Sequence, residues 1–233
     1  MFLGTSVLCP VDFSESSRGA LRYAAVIASG VGARLTLLAV NDPLMLEASE
    51  LTAGGSHLAE ETVREVKKFV RDTCESSALP SDLQLQVATG KPAPEILPHA
   101  RDLGCDLIVM GSHRATGFPK LFFGSTTERV LGETTVPVLV TPGTDPGPLG
   151  LEDVRKAVRR VLVPVDLTAA TPHQLAGARA TAEELHVPLL LLHVMEPLRT
   201  MASAQARLPK IDAERRFRAG EELAAGVASM PAG

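Results

Sequence analysis

Between Met110 and Leu131 the chain reads MGSHRATGFPKLFFGSTTERVL, with Gly111 and Gly124 standing 13 positions apart. Gly111 follows an apolar run, and Gly124 leads at once into Ser125, Thr126 and a helix-like stretch. A glycine at the end of a strand permits a sharp turn and lets a ligand come close to the backbone. A helix opened by Gly-Ser-Thr offers free amides, the positive end of the helix dipole and two hydroxyls, a combination suited to phosphate oxygens. Asp12 and Val40 close two other apolar runs. The Asp12 carboxylate could accept from an amine or a ribose hydroxyl, or it could merely cap a helix or tie down a turn. Ser125 could likewise be an ordinary helix cap, and a strand-end glycine needs no ligand. Each signal is weak alone; their joint placement at one sheet edge is what suggests a site.

No other constellation competes with it. The histidines at 57, 99, 113, 173, 186 and 193 have no HExxH or other metal-ligand spacing, and only His113 falls in the glycine loop. There is no P-loop, no GxSxG nucleophile elbow and no GxGxxG fingerprint. Cys9, Cys74 and Cys105 are odd in number and lack CxxC spacing, which argues against a disulfide framework or a zinc site. They read as small buried side chains in a reducing compartment.

The elements that must position these residues follow from the hydrophobic pattern. SVLCP and RLTLLAV are apolar runs of strand length, while Leu21, Ala24, Ala25 and Ala28 recur at helical spacing between them. Ser14 can cap that helix, and Gly30 and Gly32 end it. A helix over Ser56 to Cys74, with Ala59, Val63, Val66 and Val70 on one face, precedes an alternating strand, Leu83 to Thr89. PAPEILPHARDL is a helix begun by proline, DLIVMG a buried strand, STTERVLGE a short helix and VPVLVTP a last strand. Strands alternating with helices predict parallel crossovers and an α/β fold, a doubly wound five-stranded parallel sheet. In such a sheet ligands bind beyond the carboxyl ends of the strands, where the strand order reverses. Asp12, Val40 and Gly111 all belong to that edge.

The chain also repeats itself. Val7 to Pro43 aligns without a gap on Val161 to Pro197 at an offset of 154, identical at 13 of 37 positions. The matches include Pro10/Pro164, Val11/Val165, Asp12/Asp166 and Val40/Val194. In the second copy Leu175, Ala178, Ala182 and Leu185 form the helical stripe. RVLVP, like SVLCP, reads as a short buried strand bounded by proline, and PLLLLHV, like RLTLLAV, as a strand covered on both faces. One further helix is expected near Lys210 to Ala228. The predicted organisation is a domain over 1–142, a Pro/Gly linker over 143–150 and a partial second domain over 151–233, without a second glycine loop. The apolar strands of the half-copy either pack on the first domain or a dimer mate, or belong to a poorly ordered tail, or are covered by chain beyond this sequence.

The residues of the first domain resemble the universal stress protein family. PVDFSESS after the first strand, LLAVNDP ending the second, and MGSHRATGFPKLFFGSTTERVLGETTVPVLVTP carry the likeness. The whole chain resembles tandem members with a truncated second domain. The resemblance implies a Rossmann-like, adenine-nucleotide hydrolase-like fold and a stress-response role, and nucleotide-binding members carry G-x2-G-x9-G-[ST] in this loop. Laid on this chain, the first glycine is Gly111, the third is Gly124, and the hydroxyl residue is Ser125. By the same resemblance Pro10, Val11, Asp12, Val40 and Met110 would line the adenine and ribose portion of an ATP site, with Mg2+ accompanying the nucleotide. The second glycine position holds Arg114. Its guanidinium could grip phosphate directly, fill the cleft or point to water, and a left-handed backbone there would cost arginine about 1 kcal/mol.

Composition narrows the partners. A net charge of −4 gives no general attraction for nucleic acid or anionic membranes, and 3% aromatic residues leave little for base stacking. The longest apolar run is too short to span a membrane, and the N-terminus has no basic start before its apolar run, so a soluble cytoplasmic protein is expected. The last strand, Val136 to Thr141, is short and apolar. As an edge strand it predicts a homodimer, as the resemblance also implies. Three readings follow: an adenine-nucleotide sensor acting on an unidentified protein partner, a dimeric interaction module without nucleotide, or an enzyme of the adenine-nucleotide hydrolase-like group.

Overall fold

SVLCPV, buried at nearly every position, forms β1 (Ser6–Val11) at the centre of a sheet whose neighbours are all parallel. The computed structural model describes residues 5–45, 47, 57–112, 123–168, 171–195 and 208–228. They divide into two compact units between Val154 and Arg155. In the first unit β2 (Arg34–Asn41), β3 (Leu83–Thr89), β4 (Leu107–Gly111) and β5 (Val138–Thr141) complete the order β3-β2-β1-β4-β5. Because side chains alternate along a strand, each central strand feeds two cores. Val7, Cys9, Leu35 and Leu37 face α1 (Glu15–Val31) and α2 (His57–Thr73). Leu8, Leu38, Ile108 and Met110 face α3 (Pro92–Asp102) and α4 (Ser125–Glu133). The expected α/β architecture is therefore present, with β5 at an edge.

The expected α1 stripe is fully buried, and Ser14 caps the helix by accepting from the Ser17 amide at 3.2 Å. Gly32 ends it in the left-handed conformation with φ 68°. The stripe of α2 differs from expectation: Ala59 is exposed and Thr62 is buried in its place. The Thr62 hydroxyl donates to the Leu58 carbonyl at 2.9 Å and also lies 3.1 Å from the Asn41 side-chain oxygen, which makes its burial tolerable. The three cysteines are buried and unpaired. Burial raises the Cys9 thiol far above its ordinary value and pushes Cys74 up to about 11. Thr36 is fully buried in β2, and its hydroxyl has no hydrogen-bond partner among the described residues. Thr36→Val is accordingly expected to stabilise the first unit by about 1 kcal/mol in urea unfolding, because it removes an unsatisfied hydroxyl at constant shape.

Residues that read as linker lie along α1. The Tyr23 hydroxyl donates to the Asp145 carboxylate at 2.8 Å, and Arg22 donates to the Pro146 carbonyl at 2.9 Å. Burial and the Asp145 contact together push the Tyr23 hydroxyl up to about 12. A side chain at Gly19 would overlap the Asp145 carbonyl, so the close approach requires glycine there.

The second unit consists, among the described residues, of β6 (Val161–Pro164), α6 (Thr171–Leu185), β7 (Leu189–Leu192) and α7 (Leu208–Ala228). α5 (Leu151–Ala157) spans the division between the units. β6 and β7 pair in parallel with Val161 opposite Leu189, the same register as Val7 opposite Leu35 once the offset is applied. The likeness reaches backbone strain. Phe13 and its counterpart Leu167 both adopt positive φ, 62° and 59°, and His186 repeats the left-handed helix end of Gly32 at 56°. The expected burial of both strands fails on one face: Leu162 of β6 and Leu190 and Leu192 of β7 are exposed, while Val163 is buried and Leu189 and Leu191 are partly buried.

Candidate functional site

The chain reverses its direction of winding between β1 and β4, and a cleft of about 410 Å³ opens at their carboxyl ends. That volume lies within the range of small-ligand sites. Pro10, Val11 and Asp12 line it from the end of β1, Val40 from β2, Met110 and Gly111 from β4, and Gly124, Ser125 and Thr126 from the start of α4. Every described candidate residue thus borders one cavity. Arg114 and His113 lie outside the described residues.

Local chemistry explains each position. Asp12 Oδ1 accepts from the Ser14 amide at 3.1 Å and from the Ser14 hydroxyl at 2.5 Å, closing a turn through the strained Phe13. With the Ser14 proton directed to Asp12, the Ser16 hydroxyl donates to Ser14 Oγ at 2.9 Å. The turn-forming reading of Asp12 is therefore realised, and its carboxylate also borders the cleft. Phe13 packs edge-on against Phe69, with ring centroids 5.6 Å apart, and Arg18 lies over the same ring. In the second unit Thr168 donates its amide and hydroxyl to Asp166 in the same arrangement, which holds that carboxyl below its usual range.

A Cβ at Gly111 would overlap the backbone carbonyl of Ser16, so the first turn of α1 requires glycine at this position, which also lines the cleft. One sequence expectation needs correction: Ser125 does not cap α4, because the N-cap is Gly124, with φ −60° and ψ 156°, a residue with no side chain to accept from the first amides. The first amides of α4 therefore receive no capping oxygen from the N-cap residue itself. Thr127 ties this helix start to the end of β4 by donating to the Gly111 carbonyl at 3.3 Å.

Ser16, Ser17, Leu38, Pro92, Ile96 and Thr127 also line the cleft and were not anticipated. Leu38 could have been found from strand alternation, since it precedes Val40 by two positions on the same face. Ser16 and Ser17 are buried polar residues at the start of α1, a position readable only once α1 is known to meet Gly111. The lining combines apolar side chains, Val11, Leu38, Val40, Ile96 and Met110, with the hydroxyls, amides and one carboxylate of Asp12, Ser16, Ser17 and the α4 start. Among the described lining residues there is no cation. No group of three or more metal-binding side chains occurs among the described residues, and no described helix is long and apolar enough to cross a membrane.

Residues 5–142 match the model of the universal stress protein family. The chain is similar to the Universal stress protein YxiE of Bacillus subtilis, 32% identical over 142 residues, covering 58% of this chain and 96% of that one. It is 28% identical over 149 residues to the Universal stress protein MJ0577 of Methanocaldococcus jannaschii, covering 58% of this chain and 92% of the relative. The crystal structure of a universal stress protein from Archaeoglobus fulgidus is 25% identical with a TM-score of 0.57, covering 91% of this chain and 73% of that one. With its five-stranded parallel sheet and a family match over more than half its length, this chain belongs to the universal stress protein family.

Proposed function

We propose that the chain is a cytoplasmic stress-response module that binds an adenine nucleotide, ATP in the first instance, in the cleft between β1 and β4. The observation that carries this reading is the convergence of every described candidate residue on one cavity, lined both by apolar side chains and by the start of α4, whose N-cap is a glycine. Adenine would lie against Val11, Val40 and Met110. The phosphates would take the amides of Ser125 and Thr126 together with their hydroxyls, a neutral anion site built from a helix N-terminus. The residues fit ATP. Mg2+ would enter with the phosphates, since Asp12 is the one carboxylate among the described lining residues and Oδ1 is already engaged by Ser14. In this reading the module acts by binding, the nucleotide serving as a signal rather than a substrate.

Titration with ATP, and analysis of nucleotide co-purified with the protein, test the reading. Saturable binding that is lost in Asp12→Ala supports it. Absence of binding at millimolar ATP leaves the non-nucleotide interaction module, which draws its own support from the structural duties of Gly111 and Asp12.

In either reading the chain is proposed to form a homodimer through Val136 to Thr141, one surface on which a protein partner could sense the nucleotide state. The carbonyls of Pro137 and Thr141 accept from the Ile108 and Ser112 amides of β4 and the loop that follows it. Alternation then turns the backbone groups of Val138 and Val140 toward the open edge. Val140→Pro removes an outward amide and leaves the β4 ladder its partners. Sedimentation should give a dimer for the wild type and a monomer for this variant; a wild-type monomer at micromolar concentration refutes the interface.

A further inference from the structure

Left-handed backbone is costly for a bulky side chain, and glycine or asparagine usually takes it. Phe13 adopts it all the same, with φ 62°, between the cleft residue Asp12 and the helix cap Ser14. Leu167, its counterpart at the 154-residue offset, has φ 59° between Asp166 and Thr168. Both turns are closed by the same pair of bonds, an amide and a hydroxyl donating to the carboxylate two residues earlier. In both, the strained residue is apolar and anchored. Leu167 packs against the cluster of Val163, Val165 and Leu175. Phe13 meets Phe69 of α2 edge-on, the ring planes at 90°. Phe69 is itself fixed: it is buried in the core, and the Arg18 guanidinium lies 4.8 Å from its ring centroid. Arg18 in turn donates to the Thr73 hydroxyl at 2.7 Å, at the end of α2.

We propose that Phe13 is a positioning residue for the cleft: the Phe69 ring holds it in the left-handed conformation, and that conformation keeps the Asp12 carboxylate at the ligand. Strain held in place by its surroundings is the pattern expected where a binding group is pre-organised. Without the anchor, residue 13 would favour negative φ, and the Ser14 amide would no longer point back to Asp12 Oδ1. Binding would then have to restore the turn, and the apparent affinity would fall with the fraction of molecules that already have it. The α2 helix thus serves the site through Phe13 and Asp12 rather than by touching the ligand. The inference rests on the nucleotide reading of the cleft and names what keeps its carboxylate in place.

Two substitutions separate conformation from packing. Phe13→Ala removes the ring and keeps the penalty for left-handed backbone, whereas Phe13→Gly removes the ring and the penalty together. In calorimetric titration with ATP, Phe13→Ala is expected to weaken binding about fivefold or more, the factor set by that penalty once the anchor is gone. Phe13→Gly should recover most of this loss, although it removes more contact than alanine does. A residue that acted only by packing would give the reverse order, and glycine binding no more tightly than alanine overturns the inference. Phe69→Leu leaves the residues of the turn intact and should also weaken ATP binding; wild-type affinity in this variant overturns the inference as well. Protection of the Ser14 amide, read by NMR hydrogen exchange in the free proteins, should fall in the order wild type, Phe13→Gly, Phe13→Ala. That readout needs no nucleotide. Wild-type protein that binds no ATP at millimolar concentration refutes the nucleotide reading, and the exchange order then decides alone whether Phe13 positions the turn.

Discussion

Gly111→Ala is expected to destabilise the first unit by about 3 kcal/mol, the upper range for an overpacked core site, and to lower its urea midpoint without changing the slope. The added carbon meets the carbonyl carbon and oxygen of Ser16 rather than the end of a flexible side chain. Relief therefore requires α1 to move as a body, and α1 cannot move cheaply. Its buried stripe of Ala20, Leu21, Ala24, Ala25 and Ala28 packs on the central strands, with small residues that permit a close fit. Displacing its first turn also shifts Ser16 and Ser17 away from the cleft. Ligand affinity should fall together with stability. A midpoint within error of wild type would mean that the glycine is not required by this contact.

Gly124→Asp should have the opposite combination. The N-cap geometry at this position, φ −60° and ψ 156°, suits aspartate, which is among the best capping residues. Stability is expected to hold or to rise by a few tenths of a kcal/mol. Nucleotide affinity should instead fall about 100-fold, because the new carboxylate occupies the amides proposed for phosphate and repels it at close range. Measured by calorimetric titration with ATP beside thermal unfolding, the two readouts moving in opposite directions identify a phosphate site at the α4 start. Retained affinity in a folded variant would refute that assignment.

The fold was largely legible because its central strands are continuous apolar runs separated by stretches of helical period. β1 and β2 have almost no polar interruption apart from Thr36, and α1 carries both its cap and its stop in the sequence. Burial is harder to read where a polar residue can satisfy itself locally. Thr62 goes inside in place of Ala59 because its hydroxyl finds the carbonyl one turn back. The candidate site was legible in membership and less so in cause. Asp12, Val40, Gly111 and Gly124 meet at one edge because parallel strands bring their carboxyl ends together. The reason Gly111 must be glycine lies in a helix far away along the chain, which spacing alone cannot reveal. The second unit shows the same limit in reverse. Leu189 to Leu192 has the composition of a doubly covered strand, yet cover depends on neighbouring elements, not on composition.

The segment from Asp145 to Leu149 bears on how this protein can be dissected. The family match ends at residue 142, and a fragment cut there would strip the Asp145 partner from Tyr23 and the Pro146 partner from Arg22. It would also open the small crevice where Pro148 and Leu149 lie near Cys74. Isolating the first domain in its native form therefore calls for an excision point at or after Val154, where the two units divide.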